Sequence, residues 1–148
     1  MTGIKIIAQN RKAYYNYTID EEIEAGIMLV GSEVKSLRLG QAHIGDAYVV
    51  EEKGDLFLMN STINEYKGAN RFNHEPGRKR KLLLHKKEII KITGKMFQKG
   101  YSLIGLKLYF KRGKVKVLLG LAKGKKLYDK RASIKKKDEA RSAARGED

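Results

Sequence analysis

The sequence YSLIGLKLYFKRGKVKVLLGLAKGKKLYDKR, residues 101–131, decides the fold, because it contains two strand-like runs joined by a short turn. Apolar residues alternate with polar ones in both runs, as is typical of half-buried strands. The apolar face is formed by Ile104, Leu106, Leu108, Phe110, Val115, Val117, Leu119 and Leu121. The other face carries Lys107, Tyr109, Lys111, Lys114 and Lys116. With the turn at Arg112-Gly113, this pattern predicts a hairpin whose outer face is a row of lysines and a tyrosine, suited to binding phosphate.

The composition also indicates a polyanionic partner. The chain has 148 residues, with 32 Lys and Arg against 17 Asp and Glu, giving a formal net charge of +15. A charge of this size destabilises a compact protein by self-repulsion unless a partner neutralises it, so nucleic acid is the favoured partner. The 41% of hydrophobic residues suffice for one core. We therefore expect one nucleic-acid-binding domain and a tail.

Other classes of protein find less support in the sequence. Cysteine is absent, which excludes a disulfide framework and Cys-ligated zinc. Neither a signal peptide nor an apolar run of membrane-spanning length is visible, and no basic amphipathic helix with a broad apolar face predicts membrane binding. We expect a soluble, cytoplasmic protein with no membrane partner and no cofactor.

The first third of the chain predicts short alternating elements. The pattern of 13–19 indicates a strand, and the acidic residues Asp20-Glu21-Glu22 suit the start of a short helix that Gly26 would end. A buried strand is expected over 27–30. Ser32 is then the expected N-cap of a helix over 33–39, followed by Gly40 as its C′ residue.

The middle of the chain predicts a second hairpin and an exposed loop. Residues 48–50 and 56–59 bracket a turn-forming sequence, and short strands joined by tight turns favour an antiparallel barrel. Residues 66–81 contain many basic residues and the only proline, which indicates an exposed, mobile loop. Leu82-Leu83-Leu84 returns to the core, and a helix is expected to begin near His85 and to end at Gly100.

The hydrophobic periodicity stops after Ala122. We therefore divide the chain into a nucleic-acid-binding β-barrel domain, residues 1–122, and a basic C-terminal tail, residues 123–148. The tail is expected to be disordered when free and to fold on a partner.

Signs of an enzyme are weak. The three histidines lack metal-ligand spacing, and no serine lies in a nucleophile motif, so no catalytic or metal-binding residue is predicted. The acidic residues that could in principle hold Mg²⁺ for phosphodiester cleavage are Glu21, Glu22, Glu24 and Glu33. We favour their interpretation as helix-start carboxylates. A small Mg²⁺-dependent nuclease and a generic basic ribosomal protein remain as alternatives.

Beyond these patterns, nearly the whole chain resembles the SsrA-binding protein (small protein B) family. The N-terminal half carries the matching segments Asn10-Arg11-Lys12-Ala13, Glu24-Ala25-Gly26-Ile27 and Gly31-Ser32-Glu33-Val34-Lys35-Ser36-Leu37-Arg38. The C-terminal half carries His74-Glu75-Pro76, Arg80-Lys81-Leu82-Leu83-Leu84-His85, Leu106-Lys107-Leu108-Tyr109 and Gly120-Leu121-Ala122-Lys123-Gly124-Lys125-Lys126-Leu127-Tyr128-Asp129-Lys130-Arg131. The last segment is long and therefore far more specific than a short motif.

The resemblance implies a mainly β fold, a six-stranded, oligonucleotide-binding-like antiparallel barrel with three short helices. It also implies a non-enzymatic adaptor that binds the tRNA-like domain of transfer-messenger RNA and places it in the A site of stalled ribosomes for trans-translation. Further partners implied are the 16S rRNA decoding centre and mRNA channel of the ribosome. Elongation factor Tu and alanyl-tRNA synthetase would be reached through the RNA.

The resemblance also carries over site residues by position. Those implied or expected on the RNA-binding face are Asn10, Arg11, Glu24, Lys35, Arg38, Leu83, Lys123, Gly124, Lys125 and Lys126. Those expected to act at the decoding centre are Tyr128, Asp129, Lys130, Arg131, Ile134, Lys135, Lys136 and Lys137. Two departures from the family pattern are the tyrosine at 128, where histidine is common, and the acidic end Glu147-Asp148.

Overall fold

A computed structural model describes residues 4–68, 73–98 and 100–124. These residues form nine strands and three helices. The strands are β1 (Ile4–Gln9), β2 (Tyr17–Ile27), β3 (Ala42–His43), β4 (Tyr48–Glu52), β5 (Asp55–Met59), β6 (Thr62–Ile63), β7 (Arg80–Leu83), β8 (Ser102–Lys111) and β9 (Lys114–Gly124). The helices are α1 (Ala13–Asn16), α2 (Gly31–Arg38) and α3 (Lys86–Met96). The mainly β fold with three short helices is confirmed.

Six antiparallel strands form a closed cycle of pairings. The order runs β8-β4-β5-β7-β2-β9, and β9 pairs again with β8. Strand β8 has two neighbours in this cycle. Tyr48 of β4 pairs with Ile104 of β8, and β9 pairs with β8 along the whole length of β8. Strand β1 adds a further antiparallel partner to β8 outside this cycle. The predicted six-stranded barrel corresponds to this cycle.

The barrel interior holds the main hydrophobic core. Leu56, Val117 and Leu119 are fully buried there, together with Leu58 and Leu108. Helix α3 contributes Ile92 to the same cluster, with Ile89 and Met96 packed against it. These residues form an apolar stripe along α3, so the helix packs its apolar face on the core.

The hairpin that organises the sequence is present as β8 and β9, but its predicted single apolar face is wrong. A bulge between Gly105 and Lys107 shifts the register of β8. Leu108 therefore packs in the main core, whereas Ile104 and Leu106 belong to a second buried cluster.

The turn and the end of this hairpin have two further features. Its turn places Arg112 and Gly113 at positive φ, 53° and 77°, as a two-residue hairpin turn requires. The strand β9 continues through Lys123 and Gly124. These two residues, assigned by sequence to the tail, thus pair with β2 at Thr18 and Tyr17.

The prediction for residues 13–30 was wrong in detail. Residues 13–16 form the short helix α1, and residues 17–27 form one continuous strand in place of a strand, a helix and a second strand. Strand β2 pairs with β9 along almost its whole length, and this ladder outweighs the weak local signal of the acidic residues. Gly26 does not end a helix. It lies where β7 approaches, and a Cβ there would be 3.1 Å from Leu83 Cβ.

Helix α2 is close to its predicted bounds, but its start differs. The helix begins at Gly31, and the N-cap position is Val30 rather than Ser32. The Val30 amide donates to Glu33 Oε1 at 2.9 Å, which satisfies one of the free N–H groups at the helix start. At the other end, Gly40 has φ +72°, as expected of a C′ glycine.

The segment 66–81 is less exposed than predicted. Residues 69–72 lie outside the described part of the chain, but His74 and Arg80 are buried. The imidazole of His74 contacts Ser32 Oγ at 2.8 Å and the Ile63 carbonyl at 2.7 Å. The sequence pattern failed here because buried polar side chains need partners from distant segments, and no local periodicity reveals these.

Candidate nucleic-acid interface

The outer face of β7, β2, β9, β8 and β1 forms a continuous surface, here called the sheet face. Its central row is fixed by pairing, with Leu83 opposite Gly26, Gly26 opposite Lys116, Lys116 opposite Tyr109 and Tyr109 opposite Ile6. Directly paired residues of antiparallel strands share a face. The sheet face therefore brings together residues from five strands.

Neighbouring rows extend this surface. On one side, Glu24 pairs with Leu118, and Leu118 pairs with Lys107. On the other side, Lys114 pairs with Lys111, which also pairs with Ile4. Lysines thus recur in all three rows, so the positive charge that the sequence placed on the hairpin lies on one side of the barrel.

Large apolar side chains are exposed among these lysines. Leu83 keeps 48% of its surface exposed, Ile6 46% and Ile4 49%. The two isoleucines of β1 were not singled out by sequence reasoning, because only the pairing of β1 with β8 places them here. A surface of cations and exposed apolar groups suits single-stranded or splayed RNA, which offers both phosphates and base faces.

Glu24 is the acidic member of the sheet face. Its Oε2 accepts a hydrogen bond from the Tyr109 hydroxyl at 2.5 Å, and Lys111 Nζ lies 3.3 Å from each carboxylate oxygen. The hydrogen bond from Tyr109 lowers the pKa of Glu24, burial opposes the shift, and Lys111 and Lys116 add to the lowering. Glu24 is therefore a carboxylate at neutral pH, available as an acceptor for base N–H groups.

The burial of Tyr109 corrects the prediction for the outer face of the hairpin. The sequence placed it among exposed, phosphate-binding residues, but only 6% of its surface is exposed. Burial and the hydrogen bond to Glu24 raise the pKa of its hydroxyl, which therefore stays protonated and acts as a donor. The lysines of the hairpin remain on the outer face as predicted.

A second region surrounds Asn10 and the end of β9. Asn10 Nδ2 donates to the Gly105 carbonyl at 3.3 Å, and Asn10 lines a groove of about 410 Å³ together with Tyr17 and Tyr101. The ammonium of Lys123 lies 4.5 Å from the centre of the Tyr101 ring, a cation–π distance. Asn10 and Tyr101 thus line the same groove, and Lys123 lies over the Tyr101 ring. No hydrogen bond among the described residues links Asn10 to Glu24.

Arg11, Lys35 and Arg38 are exposed. The ammonium of Lys35 lies 5.7 Å from the centre of the Tyr66 ring, at the start of the 66–81 segment. Lys35 and Arg38 lie on α2, which follows β2 directly, whereas Arg11 lies between β1 and α1. Gly124 is exposed at the end of β9.

The remaining predicted site residues lie outside the described residues. In the RNA-binding set these are Lys125 and Lys126. In the decoding-centre set they are Tyr128, Asp129, Lys130, Arg131, Ile134, Lys135, Lys136 and Lys137.

The acidic cluster considered for Mg²⁺ is divided by the fold. Glu33 is fully buried between Arg78 and Arg80, whereas Glu21 pairs with Lys95 at 2.6 Å. Glu22 accepts a hydrogen bond from Tyr14. Within 4–68, 73–98 and 100–124, no three acidic or histidine side chains are arranged to hold a metal ion. The interpretation as helix-start carboxylates is right for Glu33, which lies in the first turn of α2. It is wrong for Glu21, Glu22 and Glu24, which lie on strand β2.

Comparison with known proteins decides the family. The model of the family described as SmpB protein matches residues 7–147. The chain belongs to the SmpB family. An SsrA-binding protein from Geobacter metallireducens is 55% identical over 142 residues, which cover 96% of this chain and 93% of the relative. One from Rickettsia typhi is 61% identical over 135 residues, covering 90% of this chain and 89% of the relative.

A solved structure supports the same family at the level of fold. A chain described as "tmRNA-SmpB: a journey to the center of the bacterial ribosome" is 48% identical, with a TM-score of 0.68. The similarity covers 84% of this chain and 86% of that one. The family resemblance stated from the sequence is thereby confirmed, and the relatives are named for binding rather than for catalysis. Among the described residues of this SmpB family member, no helix has the length and apolar composition needed to cross a membrane.

Proposed function

We propose that this protein is an RNA-binding adaptor that binds transfer-messenger RNA and acts with it on the ribosome in trans-translation. The observation that carries this proposal is the similarity to the tmRNA–SmpB structure over most of both chains. The relatives named SsrA-binding proteins support the same function. The protein would bind the tRNA-like domain and place it in the A site of stalled ribosomes.

The sheet face supplies a physical basis for RNA binding. Lys107, Lys111 and Lys116 lie in adjacent rows and can neutralise phosphates, which releases counterions and favours association. Leu83 and Ile6 offer exposed apolar surface beside them. The carboxylate of Glu24 repels phosphate, but it can accept hydrogen bonds from the N–H groups of a base edge. We propose Glu24 and Leu83 as contacts to the RNA.

The regions around α2 and the groove extend this proposal. Arg11, Lys35 and Arg38 are exposed cations that would bind neighbouring phosphates. Asn10, Lys123 and Gly124 lie around or beside the groove at Tyr101 and would bind the RNA near the start of the tail, with Lys125 and Lys126 following in sequence. The RNA-binding domain would include Lys123 and Gly124 at the end of β9, and the tail that follows them would be disordered when free.

From Tyr128 onward, the tail would act at the ribosome rather than in the RNA complex. Tyr128 offers an aromatic ring for stacking on an rRNA base, and Asp129, Lys130 and Arg131 lie beside it in sequence. Ile134 and Lys135-Lys136-Lys137 would continue from the 16S decoding centre into the mRNA channel. Elongation factor Tu and alanyl-tRNA synthetase would be partners through the RNA. The protein would work in the cytoplasm without catalysis or a cofactor.

The test is to incubate the purified protein with a transcript of the tRNA-like domain in buffer containing Mg²⁺. Filter binding measures the complex, and denaturing gel electrophoresis measures the integrity of the RNA. An adaptor binds the transcript and leaves it intact. Cleavage that stops on adding a chelator would instead establish the nuclease. Stable association with ribosomes from cells that lack transfer-messenger RNA would favour the ribosomal protein.

A further inference from the structure

The Glu24–Tyr109 contact spans the width of a strand. Glu24 lies on β2 and Tyr109 on β8, and β9 lies between these two strands. The two side chains must therefore reach towards each other over β9, where the Tyr109 hydroxyl donates to Glu24 Oε2 at 2.5 Å. Its ring is held in place by burial, with 6% of the residue exposed. A buried, rigid donor thus touches a carboxylate that solvent can reach.

The two carboxylate oxygens of Glu24 are not equivalent. Oε2 accepts from the Tyr109 hydroxyl and also lies 3.3 Å from Lys111 Nζ. Among the described residues, Oε1 has one hydrogen-bond partner, Lys111 Nζ at 3.3 Å. A carboxylate oxygen has two lone pairs, so Oε1 keeps acceptor capacity on a side chain with 36% of its surface exposed.

From this asymmetry we infer that Tyr109 is a positioning residue for RNA recognition: its hydroxyl orients Glu24 so that Oε1 accepts an N–H donor from the edge of an RNA base. The inference rests on the proposed function and deepens it. A free glutamate would lose rotamer freedom on binding the base. Tyr109 and Lys111 restrict these rotamers before the RNA arrives, which favours binding by preorganisation.

Strand β2 provides a matched control. Glu22, two residues before Glu24, accepts a hydrogen bond from Tyr14. Both pairs join a tyrosine hydroxyl to a glutamate of the same strand, but Tyr14 is 47% exposed and Tyr109 is buried. Glu22 also has no lysine in ion-pair contact among the described residues, unlike Glu24. Tyr14→Phe therefore removes a similar hydroxyl from an exposed pair.

The experiment measures the Kd of the full-length protein for a transcript of the tRNA-like domain at several salt concentrations. We expect Tyr109→Phe to weaken binding about fivefold, the fold-change that corresponds to loss of one ordinary hydrogen bond. The salt dependence should stay unchanged, because no phosphate contact is removed. We expect Tyr14→Phe to bind within about twofold of the unmodified protein. Circular dichroism verifies that each variant is folded.

A double-mutant cycle with Glu24→Ala separates positioning from a general structural effect. If Tyr109 acts through Glu24, Tyr109→Phe has no further effect once Glu24 is alanine. Glu24→Asp gives a second test that leaves Tyr109 intact. The shorter side chain keeps the charge but withdraws the carboxylate from the hydroxyl, so it should weaken binding about as much as Tyr109→Phe.

Three results would overturn the inference. The first is that Tyr109→Phe binds the transcript as tightly as the unmodified protein. The second is that Tyr109→Phe weakens binding equally when residue 24 is glutamate and when it is alanine. The third is that Glu24→Asp binds as tightly as the unmodified protein. In each of these cases the unmodified protein still binds the transcript, so the proposed function survives. If the unmodified protein does not bind the transcript, the proposed function fails and this inference fails with it.

Discussion

Glu33 of α2 and Arg80 of β7 form a fully buried ion pair, in which Arg80 Nε donates to Glu33 Oε2 at 2.7 Å. Arg78 adds a second cation, with its Nη2 at 2.5 Å from Glu33 Oε1. The remaining donors of Arg80 reach the Ser61 hydroxyl and the carbonyls of Ser61 and Pro76. Buried charges are tolerated when they are paired and hydrogen-bonded in this way. The pair thus fastens α2 to the barrel wall.

Removing one partner of this pair should be costly. Glu33→Ala leaves Arg80 charged and buried without its carboxylate, so we expect the free energy of unfolding to fall by about 3–5 kcal/mol. Urea denaturation followed by circular dichroism measures the change. Glu52→Ala is the matched control, because Glu52 pairs with Lys79 at 2.6 Å on the surface. Its expected loss is at most about 1 kcal/mol. Similar losses for the two variants would contradict this account.

The same pair should make stability depend on acid pH. Burial disfavours the charged form of Glu33, but hydrogen bonds from Arg78, the Val30 amide and Arg80 outweigh it and hold the pKa below its usual value. A carboxyl whose folded pKa is depressed stabilises the protein above its unfolded pKa of about 4.3. This stabilisation is lost as pH falls through the folded pKa. Urea midpoints from pH 6 downward should fall less steeply for Glu33→Gln than for the unmodified protein.

Salt dependence should locate the phosphate contacts. Lys116 lies in the central row of the sheet face, and Lys35 lies on α2. Each neutralised phosphate adds about one unit to the slope of log affinity against log salt. We expect Lys116→Ala and Lys35→Ala each to flatten that slope by about one unit. Lys87→Ala, at an exposed position of α3, should leave it unchanged. If Lys87→Ala flattens the slope as much as Lys116→Ala does, the net charge of the protein acts non-specifically.

The tail should separate binding from ribosomal function. We expect a chain truncated after Arg131 to fold and to bind transfer-messenger RNA, with some electrostatic loss from the missing lysines. The same truncation, or alanine at Asp129, Lys130 and Arg131, should abolish tagging of stalled products. Binding is measured by gel shift and tagging in a translation system with a stop-codon-free message. Normal tagging by the truncated protein would refute the tail mechanism. Equal losses of binding and tagging would place the tail in the RNA complex.

Local pattern was sufficient for several elements of the fold. The two hairpins, β4–β5 and β8–β9, follow from alternation on either side of a short turn. The apolar stripe of residues 86–96 was sufficient to predict helix α3, and Ile92 of this stripe lies in the core. The family match of residues 7–147 confirms the resemblance based on the sequence segments. The resemblance identified Glu24 and Leu83 as site residues. It did not show where these two residues lie relative to each other in space.

Local pattern failed where a long-range contact decides the conformation. The acidic start of β2 favoured a helix, but pairing with β9 keeps 17–27 extended. Glu33 was grouped with acids near it in sequence, whereas its partners Arg78 and Arg80 are 45 and 47 residues away. The pairing of β1 with β8 also places Ile4 and Ile6 on the sheet face.

The sequence by itself determined that this is a basic, cysteine-free chain with hairpins of alternating polarity and the segments of its family. Only the tertiary structure decided which carboxylates stay accessible and which are buried, and that Tyr109 and Glu24 meet over β9. The reason is physical. Periodicity tells which residues of one strand share a face, but only the pairing of strands tells which residues of different strands share it.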